Sequence, residues 1–210
     1  MDRHLRKSAV LIVLIAILVQ GHYAVCFPQD QDLDSIKEAA KAIRTIKADF
    51  SQIRQLKILE KPLISRGMLY YKAPDLLRWE YFSPLKSVML KQGDIINLFQ
   101  FQDGVWKSDP SQAVEVRGIV FAEINRWLKG RFDESVGFTT SYSSGPPVRL
   151  TLTPNDEFSR FLNRIEIVFS ERPGIIRFVE IIESEEAKIR IEFTNLDINS
   201  DIPAEIFKKP

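Results

Sequence analysis

The sequence predicts a mainly β (α+β) domain: one strongly curved antiparallel sheet with two amphipathic helices laid over a face. Three observations carry this. Roughly ten short apolar or alternating runs recur, most of them closed by Pro, Gly, Asp or Ser, as strands joined by tight turns require. Two segments alone switch to helical spacing. No internal repeat, low-complexity tract or long linker divides the chain, so the strands and helices belong to one domain.

Taken in order, Leu33, Ile36, Ala40, Ile43 and Phe50 recur at three-, four- and seven-residue steps with Lys37, Glu38, Lys41 and Arg44 between them. That spacing predicts a helix over about 32–47, with Asp32 or Asp34 as its N-cap. Strands follow over 63–72, closed by Ala73-Pro74-Asp75, and over 76–82, closed by Ser83-Pro84. Residues 87–91 and 95–102 pair around Gln92-Gly93-Asp94. The second helical stripe is Val116, Ile119, Val120, Ile124, Trp127 and Leu128, ending at Gly130 as a C-cap. Later strands are expected near 136–143, 148–153, 164–169, 175–183 and 188–196.

The first 26 residues stand apart. Arg3, Arg6 and Lys7 precede an apolar run over 9–19, too short to cross a bilayer at about 20 residues but suited to a signal peptide. Ala24 and Cys26 are small residues at both positions of an A-x-A-like cleavage site, so removal of 1–26 and a mature domain over 27–210 are expected. Lipidation at Cys26 is disfavoured by Val25 just before it and Tyr23 three before it. Both histidines (His4, His22) and the only cysteine go with the leader. Without them the mature chain has no Cys nucleophile, Ser-His-Asp triad, thiolate or imidazole zinc site, or disulfide. The leader's three cations and one anion lower the net charge from +1 to about −1. That balance excludes the basic stripe a nucleic-acid binder needs.

Polar motifs add little. Asp197, Asn199 and Asp201 imitate a calcium loop, but Ile202 replaces its glycine and Lys208 stands where the bidentate Glu belongs, so this reads as a strand end. Residues 183–186 read as a hairpin turn facing water. No G-x-S-x-G, G-x-G-x-x-G or P-loop occurs. Neither a cofactor nor a metal is expected.

The apolar surplus is more informative. In the 76–82 strand, Leu77, Trp79 and Tyr81 share one face and Arg78 and Glu80 the other. Ile189, Ile191 and Phe193 alternate with Lys188, Arg190 and Glu192, whereas residues 95–101 are apolar on both faces. Such strands serve either as plain core beneath the helices or as the wall of a hydrophobic cavity roofed by them. Periodicity does not decide between the two.

The order of residues resembles a known family. Ala48-Asp49-Phe50-Ser51-Gln52 follows the first helix, then Gly67-Met68-Leu69-Tyr70, Pro74-Asp75-Leu76-Leu77-Arg78-Trp79-Glu80 and Pro84, then a strand pair turning at Gly93. Leu150-Thr151-Leu152-Thr153-Pro154 precedes Ile165-Glu166-Ile167-Val168-Phe169. Ile191-Glu192-Phe193-Thr194-Asn195 and Ile202-Pro203-Ala204-Glu205-Ile206-Phe207 close the chain. In order and spacing, over essentially the whole mature chain, this is similar to the periplasmic outer-membrane lipoprotein carrier (LolA-like) family. The resemblance implies a curved antiparallel β half-barrel, an unclosed barrel with helices covering its concave hydrophobic face. It also implies a non-enzymatic, monomeric periplasmic carrier of acylated lipoproteins, loaded by an inner-membrane lipoprotein-releasing transporter and unloaded by an outer-membrane receptor. On that reading Leu77, Trp79, Tyr81, Phe99 and Phe101 line the acyl-chain cavity, and Ile119, Val120, Ile124 and Trp127 form a lid.

One position departs from the pattern. Family carriers often have Arg directly before the Pro of the P-x-x-L segment, where it helps hold the lid; here the residue is Ala73, with Arg66 and Arg78 as conceivable substitutes. Two other readings share the fold. One is a lipid- or lipoprotein-sensing adaptor, which usually carries a further partner-binding domain. The other is a LolB-like outer-membrane acceptor, which needs a lipidated Cys26. An enzyme acting on lipid or glycan comes last, since the mature chain lacks His and Cys.

Overall fold

A computed structural model describes residues 33–108, 116–132, 134–135 and 137–210, with the backbone alone at 116–119. The signal-peptide expectation therefore lies outside the described residues, as does the side chain of Ile119. Eleven antiparallel strands form one sheet: β1 Thr45–Leu56, β2 Leu63–Lys72, β3 Leu76–Ser83, β4 Ser87–Gln92, β5 Ile95–Gln102, β6 Val105–Ser108, β7 Phe138–Ser143, β8 Arg149–Pro154, β9 Arg164–Phe169, β10 Ile176–Ile182 and β11 Ala187–Ile198. Their order is β6-β5-β4-β3-β2-β1-β11-β10-β9-β8-β7, so β6 and β7 remain free edges and the barrel is unclosed. Every neighbour is a sequence neighbour except β1 and β11, whose long pairing runs from Ile46↔Ile198 to Leu56↔Ala187 and joins the two halves. Helix α1 (Leu33–Lys41), helix α2 (Val116–Leu128) and the short α3 (Asp156–Ser159) complete the fold.

The first helix is shorter than its apolar stripe predicted. Residues 45–56 are a strand, because Ile46, Ala48 and Phe50 also satisfy a period of two and pair with β2 and β11. The three- and seven-residue steps to Ile43 and Phe50 thus mixed two elements. Strand β6 also went unpredicted; at four residues it is too short to carry a pattern. At the false calcium loop, Asn199 has φ 63° and its Oδ1 accepts from the backbone N–H of Arg44 at 2.7 Å, a turn device at the end of β11.

Register fixes which face is which, since directly opposed residues share a face. Leu69, Trp79, Met89 and Leu98 follow one another across β2–β5, and all pack in the main core with α1 and α2. On the other half Ile165, Ile167, Val179, Ile181 and Ile191 join the same core. Helix α2 buries Val120, Phe121, Glu123, Ile124, Asn125, Trp127 and Leu128, far more than one stripe, because it lies enclosed by the sheet. Its C-terminus approaches α1 so closely that a Cβ on Gly130, at φ 70°, would sit 2.7 Å from the Lys37 carbonyl oxygen.

Candidate functional site

The inner face of the sheet and α2 enclose a cavity of about 400 Å³. Trp79 and Met89 form one wall, Ile181, Ile189 and Ile191 the facing wall from the other half of the sheet, and Val120, Phe121 and Ile124 the roof. Residues so distant in the strand order face each other only because the sheet is strongly curved. The aromatic base is built around a glycine. Gly67 opposes both Phe50 and Tyr81, and a Cβ there would lie 1.9 Å from the Glu80 carbonyl oxygen and 2.6 Å from the Phe50 ring. Its absence lets Phe50 lie across β2 and meet Trp79 at 4.4 Å and Tyr81 at 5.1 Å between ring centroids.

The cavity is polar towards one end. Tyr81 Oη lies 2.7 Å from Gln52 Oε1, to which it donates, and Arg54 Nη2 donates to Glu183 Oε2 at 2.9 Å. Ser65 and Ser87 also line it. Glu183 therefore differs from the water-facing turn residue expected: it is half-buried and paired, while Ser184, Glu185 and Glu186 are exposed. The end opens past Pro84, Leu85 and Phe161, and Leu85 is 80% exposed. The cavity is thus apolar inside and polar at its mouth.

Of the residues the sequence assigned to the cavity wall, the structure brings Trp79 and Tyr81 to the lining. Leu77 shares their face but is fully buried in the core away from the cavity. Phe99 and Phe101 lie on the opposite face. Phe99 opposes Val88 and packs in a small separate cluster with Val88, Leu90 and Trp106, and Phe101 meets the Trp106 ring at 5.3 Å. A run apolar on both faces gave no way to choose the inward parity. Val120 and Ile124 roof the cavity, whereas Trp127 anchors α2 in the core beside it. Phe121 was missed because it sits beside the predicted stripe. The Ile189 and Ile191 alternation was visible in the sequence, but its place opposite Trp79 depends on the β1–β11 pairing.

Arg66 and Arg78 do not take over the lid role of the family arginine. Both alternate onto the outer face; Arg78 donates to Glu80 at 2.8 Å and to the carbonyls of Ile206 and Lys208. Instead, Lys129 at the end of α2 pairs with Asp75, two residues after Ala73. The hydrogen bond from Lys129 holds the Asp75 carboxyl below the usual aspartate range. Within α2, burial pushes the Glu123 carboxyl up, although Ser135 and Arg126 both donate to it. Tyr71, buried beneath the helices, is pushed up to about 12 by burial and by Asp75. Among the described residues, no three His, Cys, Asp or Glu side chains gather to hold a metal ion, and no helix is long and apolar enough to cross a membrane.

Comparisons with known proteins agree with this architecture. The chain is 28% identical over 182 residues to the outer-membrane lipoprotein carrier protein of Dechloromonas aromatica (strain RCB), covering 84% of this chain and 82% of that one. It is 22% identical over 210 residues to the outer-membrane lipoprotein carrier protein of Pseudomonas putida (strain KT2440), covering 95% and 93%. Among solved structures, a DUF1329 family protein from Desulfovibrio piger superposes with a TM-score of 0.52 at 9% identity over 84% of this chain and 95% of that one, a likeness of fold. The family model for the outer membrane lipoprotein carrier protein LolA matches residues 41–210, and the chain belongs to that family.

Proposed function

We propose that the protein is an exported periplasmic carrier that shields the acyl chains of lipoproteins, or of a related acylated cargo, and moves them from the inner to the outer membrane. The observation that carries this reading is the cavity of about 400 Å³ with apolar walls, an α-helical roof and a polar mouth. Each methylene moved from water to an apolar site is worth about 0.8 kcal/mol, so a chain of some fifteen carbons resists crossing water by roughly 12 kcal/mol. Shielding removes that barrier without chemistry, and the protein acts as a carrier and not as an enzyme.

The walls and roof are nearly closed to water, with Trp79, Phe121, Ile124, Ile181 and Ile191 each at most 3% exposed, so a cargo with several acyl chains requires α2 to move away from the sheet. Helix α2 is therefore the lid, with Val120 and Ile124 contacting the chain and Trp127 holding the helix down. An inner-membrane transporter supplies the loaded cargo and an outer-membrane receptor accepts it, each step an exchange of one apolar site for another. The test is transfer of a labelled triacylated lipopeptide from donor to acceptor vesicles. Transfer whose rate rises in proportion to carrier concentration supports the reading, and a rate no faster than with an unrelated protein refutes it.

A further inference from the structure

Large exposed apolar side chains are unevenly placed on this protein. Among the described residues, nine of the eleven lie at one end of the sheet, where β1, β3 and β5 finish and β2, β4 and β6 begin; Ile95 and Tyr142 are at the other end. Ile58 on the β1–β2 loop, Phe82 and Leu85 on the β3–β4 hairpin and Phe161 on the β8–β9 connection project there, and Ile58 is 90% exposed. This is the end where the cavity opens, since Leu85 and Phe161 also line it. Scattered exposed apolar residues are ordinary, but a ring of them around a cavity mouth marks a contact surface.

The charges between these tips say what kind of surface. Lys61, Arg66, Lys86 and Arg160 are all exposed, and none pairs with a carboxylate among the described residues. The Lys86 ammonium lies 5.5 Å from the Phe101 ring centroid and the Arg160 guanidinium 4.5 Å from that of Phe161, each cation held beside an aromatic. The acidic hairpin on the facing rim is largely neutralised, Glu183 by Arg54 and Glu186 by Lys57. Among the described residues, the exposed unpaired carboxylates at this end are Glu185, Glu60 on the β1–β2 loop, and Asp156 and Glu157 in α3, against Lys188 as a fifth exposed cation. The charges held against the apolar tips themselves are Lys86 and Arg160. Apolar tips on separate loops with cations at the same level match the interface of an anionic bilayer, where the tips enter the acyl boundary and Lys and Arg reach the phosphates.

We propose that this end of the half-barrel seats directly on an anionic phospholipid surface, so that the cavity opens onto the membrane rather than into water. The purpose of such docking rests on the carrier reading; the docking itself is measured separately. The test is co-sedimentation of the processed chain with vesicles of phosphatidylcholine alone or with one-third phosphatidylglycerol. The comparison set is Ile58→Asp/Phe82→Asp and Lys61→Glu/Lys86→Glu, none of which lines the cavity, with uptake of a soluble fluorescent fatty-acid analogue measured on every sample. Partitioning at least tenfold stronger onto anionic vesicles, lost tenfold or more in both double variants while analogue uptake persists, is the expected result. Equal partitioning onto both vesicle types, or variants that bind like wild type, overturns the proposal and leaves the patch to a protein partner. Vesicle binding as expected without analogue uptake by the wild type supports docking and removes the carrier reading.

Discussion

Leu77 and Trp79 are neighbours on one face of β3, yet they should fail differently when truncated. Leu77 is fully buried and does not line this cavity, so Leu77→Ala loses its methylenes and leaves a void in packed core. Such truncations cost about 2.7–5 kcal/mol, and about 3–4 is expected here. Trp79 packs one side against Phe50 at 4.4 Å and Phe193 at 6.0 Å, and turns the other to the cavity. Removing a packed Trp normally costs about 3–5 kcal/mol. Here the space left merges with a cavity that already exists, which lowers the void penalty. The Trp79 Nε1 is also buried without a hydrogen-bond partner, and deleting it recovers about 1–3 kcal/mol of desolvation cost. The net loss for Trp79→Ala is then about 1–2 kcal/mol. Binding moves the other way. Only 2% of Trp79 is accessible while α2 is closed, so the indole meets the chain as α2 lifts. If about 60 Å² is then covered, its loss at 25 cal/mol per Å² weakens affinity by about 1.5 kcal/mol, or about tenfold. Equilibrium urea unfolding and titration with a fluorescent acyl analogue measure both quantities for both variants. A Trp79→Ala protein as destabilised as Leu77→Ala, with analogue affinity unchanged, would refute the assignment of Trp79 to the cavity wall.

Other predictions address the lid and the base of the cavity. The Lys129–Asp75 pair is partly exposed and worth about 0.5–1 kcal/mol, so Asp75→Asn should speed analogue uptake about two- to fivefold in stopped-flow mixing. Because the Asp75 carboxyl is held below its usual value, its contribution is complete above about pH 4 and disappears as the pH falls through the folded value. Wild-type uptake should therefore approach the Asp75→Asn rate on acidification. Ala73→Arg restores the guanidinium the family often carries and should slow uptake, by tenfold or more if it bonds the backbone of α2. Gly67→Ala drives a Cβ into the Glu80 carbonyl and the Phe50 ring and should cost about 3 kcal/mol or more in urea unfolding. Tyr71, at about 12 when folded, stays protonated where an unfolded tyrosine near 10 has ionised. Stability should thus fall as the pH rises from 10 towards 12, and Tyr71→Phe should remove that part of the slope.

Much of the fold is legible in the sequence because turns and alternation are local signals. Ala73-Pro74-Asp75, Ser83-Pro84 and Gly93 mark their hairpins without help from the rest of the chain. The end of the first helix misled for a physical reason: Phe50 stands at a helical step from Ile43 and also alternates with Ile46 and Ala48, and the strand conformation of all three follows in part from partners more than a hundred residues away in β11. The site was legible only in part. Trp79, Tyr81, Val120 and Ile124 could be read from single-element patterns and the family likeness. The inward parity of residues 95–101 could not, because Ile96 and Leu98 compete with Phe99 and Phe101 for the same face. The polar mouth was hidden for a different reason. Arg54 and Glu183 are ordinary charged residues until β1 and β11 bring their ends together.

Occupancy of this cavity by acyl chains is read by native mass spectrometry of the protein after gentle extraction, beside an Ile189→Trp variant whose indole fills the space between the walls. Wild type should retain an acylated lipid, identified after denaturation, and Ile189→Trp should lose it while remaining folded. A bare wild-type mass that takes up no acyl analogue, or the same adduct on the filled variant, would contradict that occupancy.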